Sequence, residues 1–323
     1  MTRSLHNTYA PPDPSFDTRF AVIAYSLVIA VTLFSTYLHH VQPQILSVPS
    51  NTDISSWQSP PFKDTYLYDH MTEKERETFL AEGVPKGDDV WYQFGMDLLT
   101  LFLALLVFLH SLKYCGFWMS TCFLIGSFVF TGLEESMFIL LGRYLPAGVV
   151  NAFGEPVTGT YWFTKGGFWF IECPVQACVG WYIIAYSCVL TAGKVFPKRG
   201  LLWRAVVGGL IAMTLDLWMD PIVTSPEIVA WVWPKGGHLI IFGIPDSNFV
   251  GWFNLIFLFA IFWELLPRLQ ARWGRARASG LFFLILVGTE IAIAIGMVIY
   301  GTIVGLVLVG LGYSSPLMIP QGW

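Results

Sequence analysis

Charged residues are scarce in this sequence. Asp, Glu, Lys and Arg make up only 12% of the 323 residues, whereas 55% are hydrophobic and the mean hydropathy is +0.60. Ordinary soluble domains contain about 25% charged residues. We therefore predict an all-α, polytopic integral membrane protein, a helical bundle whose main partner is the lipid bilayer.

The sequence also lacks the patterns that most cofactor-dependent enzymes require. Its six histidines are too few and too scattered for a membrane di-iron desaturase or hydroxylase, and His39 and His40 form the only close pair. No nucleotide-binding glycine motif, Walker A motif or G-x-S-x-G elbow is present. The five cysteines form no C-x-x-C motif, and no basic tract suggests nucleic acid. We expect any chemistry to proceed without a cofactor or metal.

Seven apolar runs are long enough to cross a hydrocarbon core of about 30 Å. They lie at residues 20–38, 92–111, 115–142, 167–192, 201–221, 247–266 and 280–313. The last run gives an eighth span if it breaks around residues 300–302. We predict a single transmembrane domain over residues 20–313, flanked by an N-terminal segment at 1–19 and a tail at 314–323. The two halves show no convincing similarity.

The distribution of positive charge predicts the orientation of the chain. Eleven of the 18 Lys and Arg residues fall on the cytoplasmic side if the N-terminus is cytoplasmic. This orientation, in the cell (inner) membrane, places the long polar loop at 39–91 outside. Within that loop, Thr72 and Glu75 form a capping-box pattern, which predicts a short helix. That helix is either a lid over the site or a solvated surface helix.

Acidic side chains inside the apolar runs are the most informative feature. Asp216 and Asp220 are four residues apart, so they share one face of a helix. Because successive spans alternate in direction, other polar residues fall at the same outer depth. These residues are Asp97, Glu134, Glu135, Glu172 and Asn248. Acids at such positions are costly and rarely idle, which predicts a functional site.

A buried acid pair suits general-acid chemistry on an apolar substrate. Desolvation and a neighbouring carboxyl group both favour the protonated form, which can donate a proton in a dry cavity. Aromatic rings could stabilise the resulting carbocation. The rings nearest the predicted site are Tyr161, Trp218, Trp231, Trp233 and Trp252. Elsewhere, Glu264 is expected to snorkel toward Arg268, and Glu290 is unexplained except as interhelical glue.

One ordered set of motifs resembles a known family. The motifs are Asp216-Leu-Trp-Met-Asp220-Pro221, Trp231-Val-Trp233, Gly243-Ile-Pro245 and Asn248-Phe249-Val-Gly251-Trp252, preceded by Glu135, Gly159-Thr-Tyr161, Cys173-Pro174 and Gly180-Trp181. They are similar to motifs of the membrane carotenoid biosynthesis proteins that hydrate acyclic end groups, the CruF-like carotenoid hydratases and bisanhydrobacterioruberin hydratases. The resemblance covers roughly residues 125–266 and is absent after 270. The doubled Glu134-Glu135 and the inserted Lys235-Gly-Gly-His238 depart from the pattern.

The resemblance implies hydration of the terminal double bond of an acyclic carotenoid or related long isoprenoid. Asp220 or Glu135 would donate the proton, with Asp216, Asn248 and Glu134 as the other catalytic candidates. The substrate-binding candidates are Tyr161, Glu172, Trp218, Trp231, Trp233, Phe249 and Trp252. Other enzymes of the carotenoid pathway are candidate partners. Two alternatives remain open, namely a membrane terpene or carotenoid cyclase and a non-catalytic binding or transport protein.

Overall fold

The computed structural model describes residues 13–41, 62–82, 90–146, 148–157 and 159–320, and predictions for the rest of the chain lie outside these residues. Helices dominate this part of the chain, so the all-α class is confirmed. The helices are α1 (Pro14–Val41), α2 (Tyr66–His70), α3 (Glu73–Glu82), α4 (Val90–Arg143), α5 (Val175–Val195), α6 (Leu201–Val223) and α7 (Asp246–Gly310). All except α2 and α3 are long and apolar enough to cross a membrane.

Helix α4 spans 54 residues and consists of two antiparallel limbs. Gly116 separates them with φ 75° and ψ 169°, a conformation that only glycine adopts readily. Asp97 in the first limb accepts a hydrogen bond from the backbone of Phe168, whereas Arg143 at the end of the second binds Glu172. A straight helix would separate positions 97 and 143 by about 70 Å. The chain must therefore reverse at Gly116.

Helix α7 reverses in the same way at Gly274, where φ is 72° and ψ is 169°. The Tyr300 hydroxyl donates to Asp246 Oδ2 over 2.5 Å, although a straight helix would hold these residues about 80 Å apart. The described residues thus make seven passes, as predicted. The second limb of α7 continues through residues 300–302, so the alternative with an eighth span there is wrong.

The two ends of the bundle differ in their connections. Arg275 forms an ion pair with Asp17, and Trp118 Nε1 donates to Ser279 Oγ over 2.9 Å, so both glycine reversals lie at the end where α1 begins. The longer connections lie at the opposite end, which we call the loop end. Which end faces the cytoplasm stays a prediction. Glu264 pairs with Arg204 on α6 and not with Arg268, because the neighbouring helix offers the closer cation.

Short β-strands give the loop end a regular structure. They are β1 (Trp162–Phe163), β2 (Trp169–Phe170), β3 (Cys173–Pro174), β4 (Trp231–Val232), β5 (Leu239–Ile241), β6 (Ile244–Pro245) and β7 (Leu317–Ile319). β1 pairs with β4, and two hairpins form from β2 with β3 and from β5 with β6, all antiparallel. Residues 167–174 were predicted to begin the fourth span and instead form the first hairpin. Pro174 lacks an N–H and disfavours helix at the residue before it, so α5 starts only after it.

The chain contains an internal repeat that the sequence analysis missed. Pro174 and Pro245 each end a hairpin and cap the following helix, and Val-Gly-Trp recurs at 179–181 and 250–252. Lys-Gly-Gly also recurs, at 165–167 and 235–237. The hairpin residues Ile171 and Phe242 have φ of 58° and 54°, which is uncommon outside glycine. The two copies share few residues, and a one-residue insertion in the second copy changes the spacing between them, which is why the repeat is hard to recognise in the sequence.

Each repeat consists of a helix, a strand, a hairpin and a second helix. The first runs from the second limb of α4 to α5, and the second from α6 to the first limb of α7. Both start towards the loop end, as in parallel repeats related by an axis along the membrane normal. Contacts fit such an axis, because Trp162 lies opposite Val232 in the β1–β4 pair and Trp181 packs against Trp252.

The backbone groups on the outer edge of each hairpin form hydrogen bonds with a different element. Ser35 and Thr36 of α1 accept hydrogen bonds from the backbone of Ile171 and Trp169 beside β2. β5 instead pairs in parallel with β7, in the segment predicted as a tail. Such partners matter because an unpaired backbone group near hydrocarbon costs several kcal/mol.

Helix α3 begins as predicted. The backbone N–H of Thr72 donates to Glu75, and the backbone N–H of Glu75 donates to the Thr72 hydroxyl, so the capping box is confirmed. Its Phe79 belongs to an apolar cluster that covers the β1–β4 pair, together with Leu67, Met71, Trp162, Val229 and Val232. Its role as a lid stays a prediction.

We expect Gly116→Ala and Gly274→Ala each to lower the free energy of unfolding by about 1–3 kcal/mol, because a Cβ is strained at these backbone angles. No side chain stands within 4 Å of either added methyl group, so crowding is not the cause. Gly288→Ala, in regular helix with equal space, is the control and should be neutral or stabilising. Denaturant unfolding in micelles, followed by tryptophan fluorescence, measures the difference. Equal stability of all three variants would contradict the strain at the reversals.

Candidate active site

Asp216 and Asp220 lie on one face of α6, fully buried, and meet Asn248 from the first turns of α7. Asn248 Nδ2 donates to Asp216 Oδ2 over 2.9 Å and to Asp220 Oδ2 over 2.5 Å. The two carboxyl groups are also close enough for their charges to interact. Two buried negative charges at this separation would repel strongly, so the arrangement favours one proton shared by the pair.

Glu135 forms the second acidic centre, opposite the aspartates. The Tyr161 hydroxyl donates to Glu135 Oε2, and Trp181 Nε1 donates to Glu135 Oε1 over 3.2 Å. Tyr161 lies in the loop before β1, where burial raises the pKa of its hydroxyl well above the ordinary value. Tyr161 therefore keeps its proton and acts as a hydrogen-bond donor at any working pH.

Two cavities meet between these acids. The larger, about 560 Å³, lies among the first limb of α4, α5 and α6. The smaller, about 280 Å³, lies among the second limb of α4, both limbs of α7 and the loops. Small-molecule sites typically occupy about 300–1,000 Å³. Six residues line both cavities and form what we call the junction, namely Glu135, Tyr161, Trp181, Trp233, Asn248 and Trp252.

The internal repeat relates the two cavities. Gly180 lines the larger and Gly251, its counterpart in the repeated Val-Gly-Trp motif, lines the smaller. Asp220 lines only the larger cavity, whereas Glu134 lines only the smaller. Glu135 lines both and is close enough to Asp220 for their charges to interact. An acid is thus available on each side of the junction.

Aromatic rings enclose the junction. The ring centroids of Trp181 and Trp252 are 4.3 Å apart, and those of Tyr161 and Trp233 are 4.7 Å apart. Trp231 lines the larger cavity beside them. Such faces attract a cation in a dry site. Sequence reasoning gave Trp181 no site role, although its place in the repeated Val-Gly-Trp motif was a usable signal.

Three predicted substrate-binding residues do not line either cavity. Trp218 is 70% exposed, because it stands two positions from both Asp216 and Asp220 and so projects from the opposite side of α6. Phe249 is buried in an apolar cluster behind the site. Glu172, in the first hairpin, forms an ion pair with Arg143 at 2.7 Å.

Two further acids occupy different surroundings. Asp97 on α4 accepts hydrogen bonds from the backbone of Phe168 and Gln176, at 2.6 and 3.0 Å, and so holds the first hairpin and the start of α5 against α4. Glu290 is buried, has no hydrogen-bond partner among the described residues, and lies within electrostatic range of Glu134 and Glu135. Within the described ranges, no three His, Cys, Asp or Glu side chains are grouped to hold a metal ion.

Comparison with known proteins supports the resemblance seen in the sequence. The model of a family described as "Carotenoid biosynthesis protein" matches residues 159–315. This range contains Tyr161, Asp216, Asp220 and Asn248 but begins after Glu135. It continues well past residue 270, where the sequence alone showed no resemblance. Searches of curated proteins and of solved structures found no match.

The matched range holds the second repeat complete, together with the strand, hairpin and second helix of the first. The matched range therefore contains the buried pair Asp216 and Asp220, the bridging Asn248, and every residue of the junction except Glu135. Residues 159–315, just under half of the chain, are similar to the carotenoid biosynthesis protein family.

Proposed function

We propose that this protein hydrates the terminal isopropylidene double bond of an acyclic carotenoid or a related long isoprenoid by acid catalysis. The observation that supports this most is the junction between the two cavities. There the Asp216–Asp220 pair, bridged by Asn248, lies opposite Glu135, and the rings of Tyr161, Trp181, Trp233 and Trp252 form an aromatic wall around these groups. The family match independently supports a role in carotenoid biosynthesis.

The first step is protonation of the alkene. Asp220 lines the larger cavity, and its pairing with Asp216 through Asn248 favours one shared proton, so it is the donor best placed to protonate the CH carbon of the double bond. The positive charge then develops on the neighbouring tertiary carbon. The aromatic faces of Trp181, Trp233 and Trp252 shield this cation, and the conjugate base of the aspartate pair, held by Asn248, stabilises it electrostatically.

The second step is capture of the cation by water. The water oxygen forms a bond to the tertiary carbon, and a carboxylate on the other side of the junction takes the proton that water releases. Glu135, oriented by Tyr161 and Trp181, is our candidate for this base, with Glu134 beside it. The net change is the addition of one water molecule and the formation of a tertiary alcohol.

A cyclase would use the same protonation and differ only in the nucleophile. If a neighbouring double bond captured the cation in place of water, a ring would form and the mass would not change. The mass of the product therefore separates the two reactions.

Asp220→Asn should lower the rate of hydration by about 100- to 10,000-fold, because the amide cannot donate the catalytic proton. The measurement is mass analysis of the isoprenoids formed when the purified protein is incubated with lycopene in detergent. The wild-type protein should yield a product heavier by one water.

Trp218→Phe, which alters α6 two positions away on its exposed face, is the control and should leave the yield unchanged. A wild-type product of unchanged mass would favour the cyclase. Full hydration by Asp220→Asn would remove Asp220 from the mechanism.

Tyr161→Phe should lower kcat about 10- to 100-fold with little change in KM. The ring stays in the aromatic wall, but Glu135 loses a hydrogen bond of the kind that contributes about 1.5–3 kcal/mol to a charged acceptor. Because Tyr161 keeps its proton, the loss should be the same at neutral and mildly alkaline pH.

Tyr186→Phe removes a hydroxyl that binds His110 at 2.8 Å and lines neither cavity. This control should keep wild-type kcat. An equal loss in both variants would mean that Tyr161 acts through stability and not through Glu135.

A further inference from the structure

A short segment at the start of α2 holds the backbone beside the junction ring of Trp233. Residues 64–66, which we call the strap, run antiparallel to residues 233–235. The backbone N–H of Tyr66 donates to the carbonyl of Trp233 over 2.9 Å, and a second backbone bond of 2.8 Å closes the pair two residues further on. The strap thus adds a strand to the part of the chain that follows β4.

The Tyr66 side chain holds the cavity wall that follows Trp233. Its hydroxyl oxygen accepts a hydrogen bond from the backbone N–H of Gly237 over 3.1 Å. Burial raises the pKa of Tyr66 to about 12, so this hydroxyl stays neutral. Gly236 has φ of 128°, and two consecutive glycines give a flexible backbone with no side chain to pack. The Tyr66 hydroxyl therefore supplies the anchor that these glycines lack.

Tyr66 lies behind the site and not in it. It is 5% exposed and shares an apolar cluster with Trp233, but it lines neither of the two cavities that meet at the junction. Gly236 and Gly237 line the smaller cavity, and Trp233 lines both. Tyr66 can thus influence a reaction at the junction only through the residues that it holds.

The equivalent glycines of the first repeat are held in a comparable way. There the Lys-Gly-Gly motif occupies residues 165–167, and the backbone N–H of the next residue, Phe168, donates to Asp97 over 2.6 Å. In both repeats, a polar side chain from earlier in the sequence accepts a hydrogen bond at or beside the paired glycines. The anchor is a carboxyl group within the bundle in the first repeat and the hydroxyl of Tyr66 in the second.

We propose that Tyr66 is a positioning residue for the reaction and that it sets the ring of Trp233 against the carbocation at the junction. This inference rests on the proposed function, in which Trp233 shields the cation. Without the hydroxyl, the N–H of Gly237 loses its acceptor and the paired glycines gain freedom, so the wall that carries Trp233 loosens. Small displacements of this kind lower the rate because the stabilising groups no longer match the transition state.

The test is a double-mutant cycle of Tyr66→Phe and Trp233→Phe, in which kcat and KM for lycopene hydration are measured in micelles. Tyr66→Phe should lower kcat by about tenfold with little change in KM, because the displaced ring affects the cation more than the bound alkene. In the Trp233→Phe background, Tyr66→Phe should lower kcat by less than about twofold, because the indole through which Tyr66 acts is already absent. Tyr68→Phe is the control and should keep wild-type kcat, since its ring lies over Arg76 and lines neither cavity.

A second readout requires no turnover. The fluorescence of Trp233 is obtained as the difference between a protein that contains this residue and its Trp233→Phe counterpart. In the wild-type protein this signal should resist quenching by acrylamide, because Trp233 is 7% exposed. In Tyr66→Phe, the quenching constant of the same signal should rise by about twofold or more, because the loosened wall opens more often.

Equal losses of kcat from Tyr66→Phe in both backgrounds would overturn the proposal, because Tyr66 would then act independently of Trp233. Wild-type kcat in Tyr66→Phe would also overturn it. So would unchanged quenching of Trp233, since the ring would then keep its place without the hydroxyl. Failure of the proposed function gives a different result, because the wild-type protein would form no alcohol while the fluorescence would still report whether Tyr66 holds Trp233.

Discussion

The burial of several carboxyl groups in one apolar interior is the constraint on which the rest of this structure depends. An ionised group without partners would be very costly there, so each centre is held by donors from distant segments. Asn248 comes from α7, Tyr161 from the loop before β1, and Trp181 from α5. The hydrogen bonds to the acids on α4 and α6 therefore fix how four helices and one loop meet. They also fix the positions of the aromatic rings around the acids.

The helical architecture and the core of the site were predictable because they follow from local rules. Hydrophobic length gave the seven passes, and the spacing of Asp216 and Asp220 gave their common face. The hairpin before α5 was not predicted, since its apolar residues are indistinguishable from a span until the effect of Pro174 is weighed. Trp218 was misplaced because proximity in sequence to an acid was taken for proximity in space. The ion pair of Glu172 depends on tertiary contacts that sequence does not display.

The internal repeat explains why acids from two separate helices meet. Two copies of one helix, strand, hairpin and helix unit face each other, so Glu135 on α4 and Asp220 on α6 approach from opposite sides of the junction. Each copy has since acquired its own chemistry, with Ala177 in one at the place where Asn248 stands in the other. The two copies keep the same backbone arrangement but carry different side chains, so the two sides of the junction differ in chemistry.

The unequal protection of the two hairpins has a consequence for biogenesis. The first hairpin is covered by α1, which precedes it in the chain, so its edge has a partner as soon as it emerges. The second is covered by β7, which is synthesised only after both limbs of α7. The smaller cavity is also lined by Met297, Val298 and Gly301 of the second limb of α7, so its wall too depends on a late part of the chain. The edge of the second hairpin therefore has no partner until the chain has been synthesised as far as residue 319.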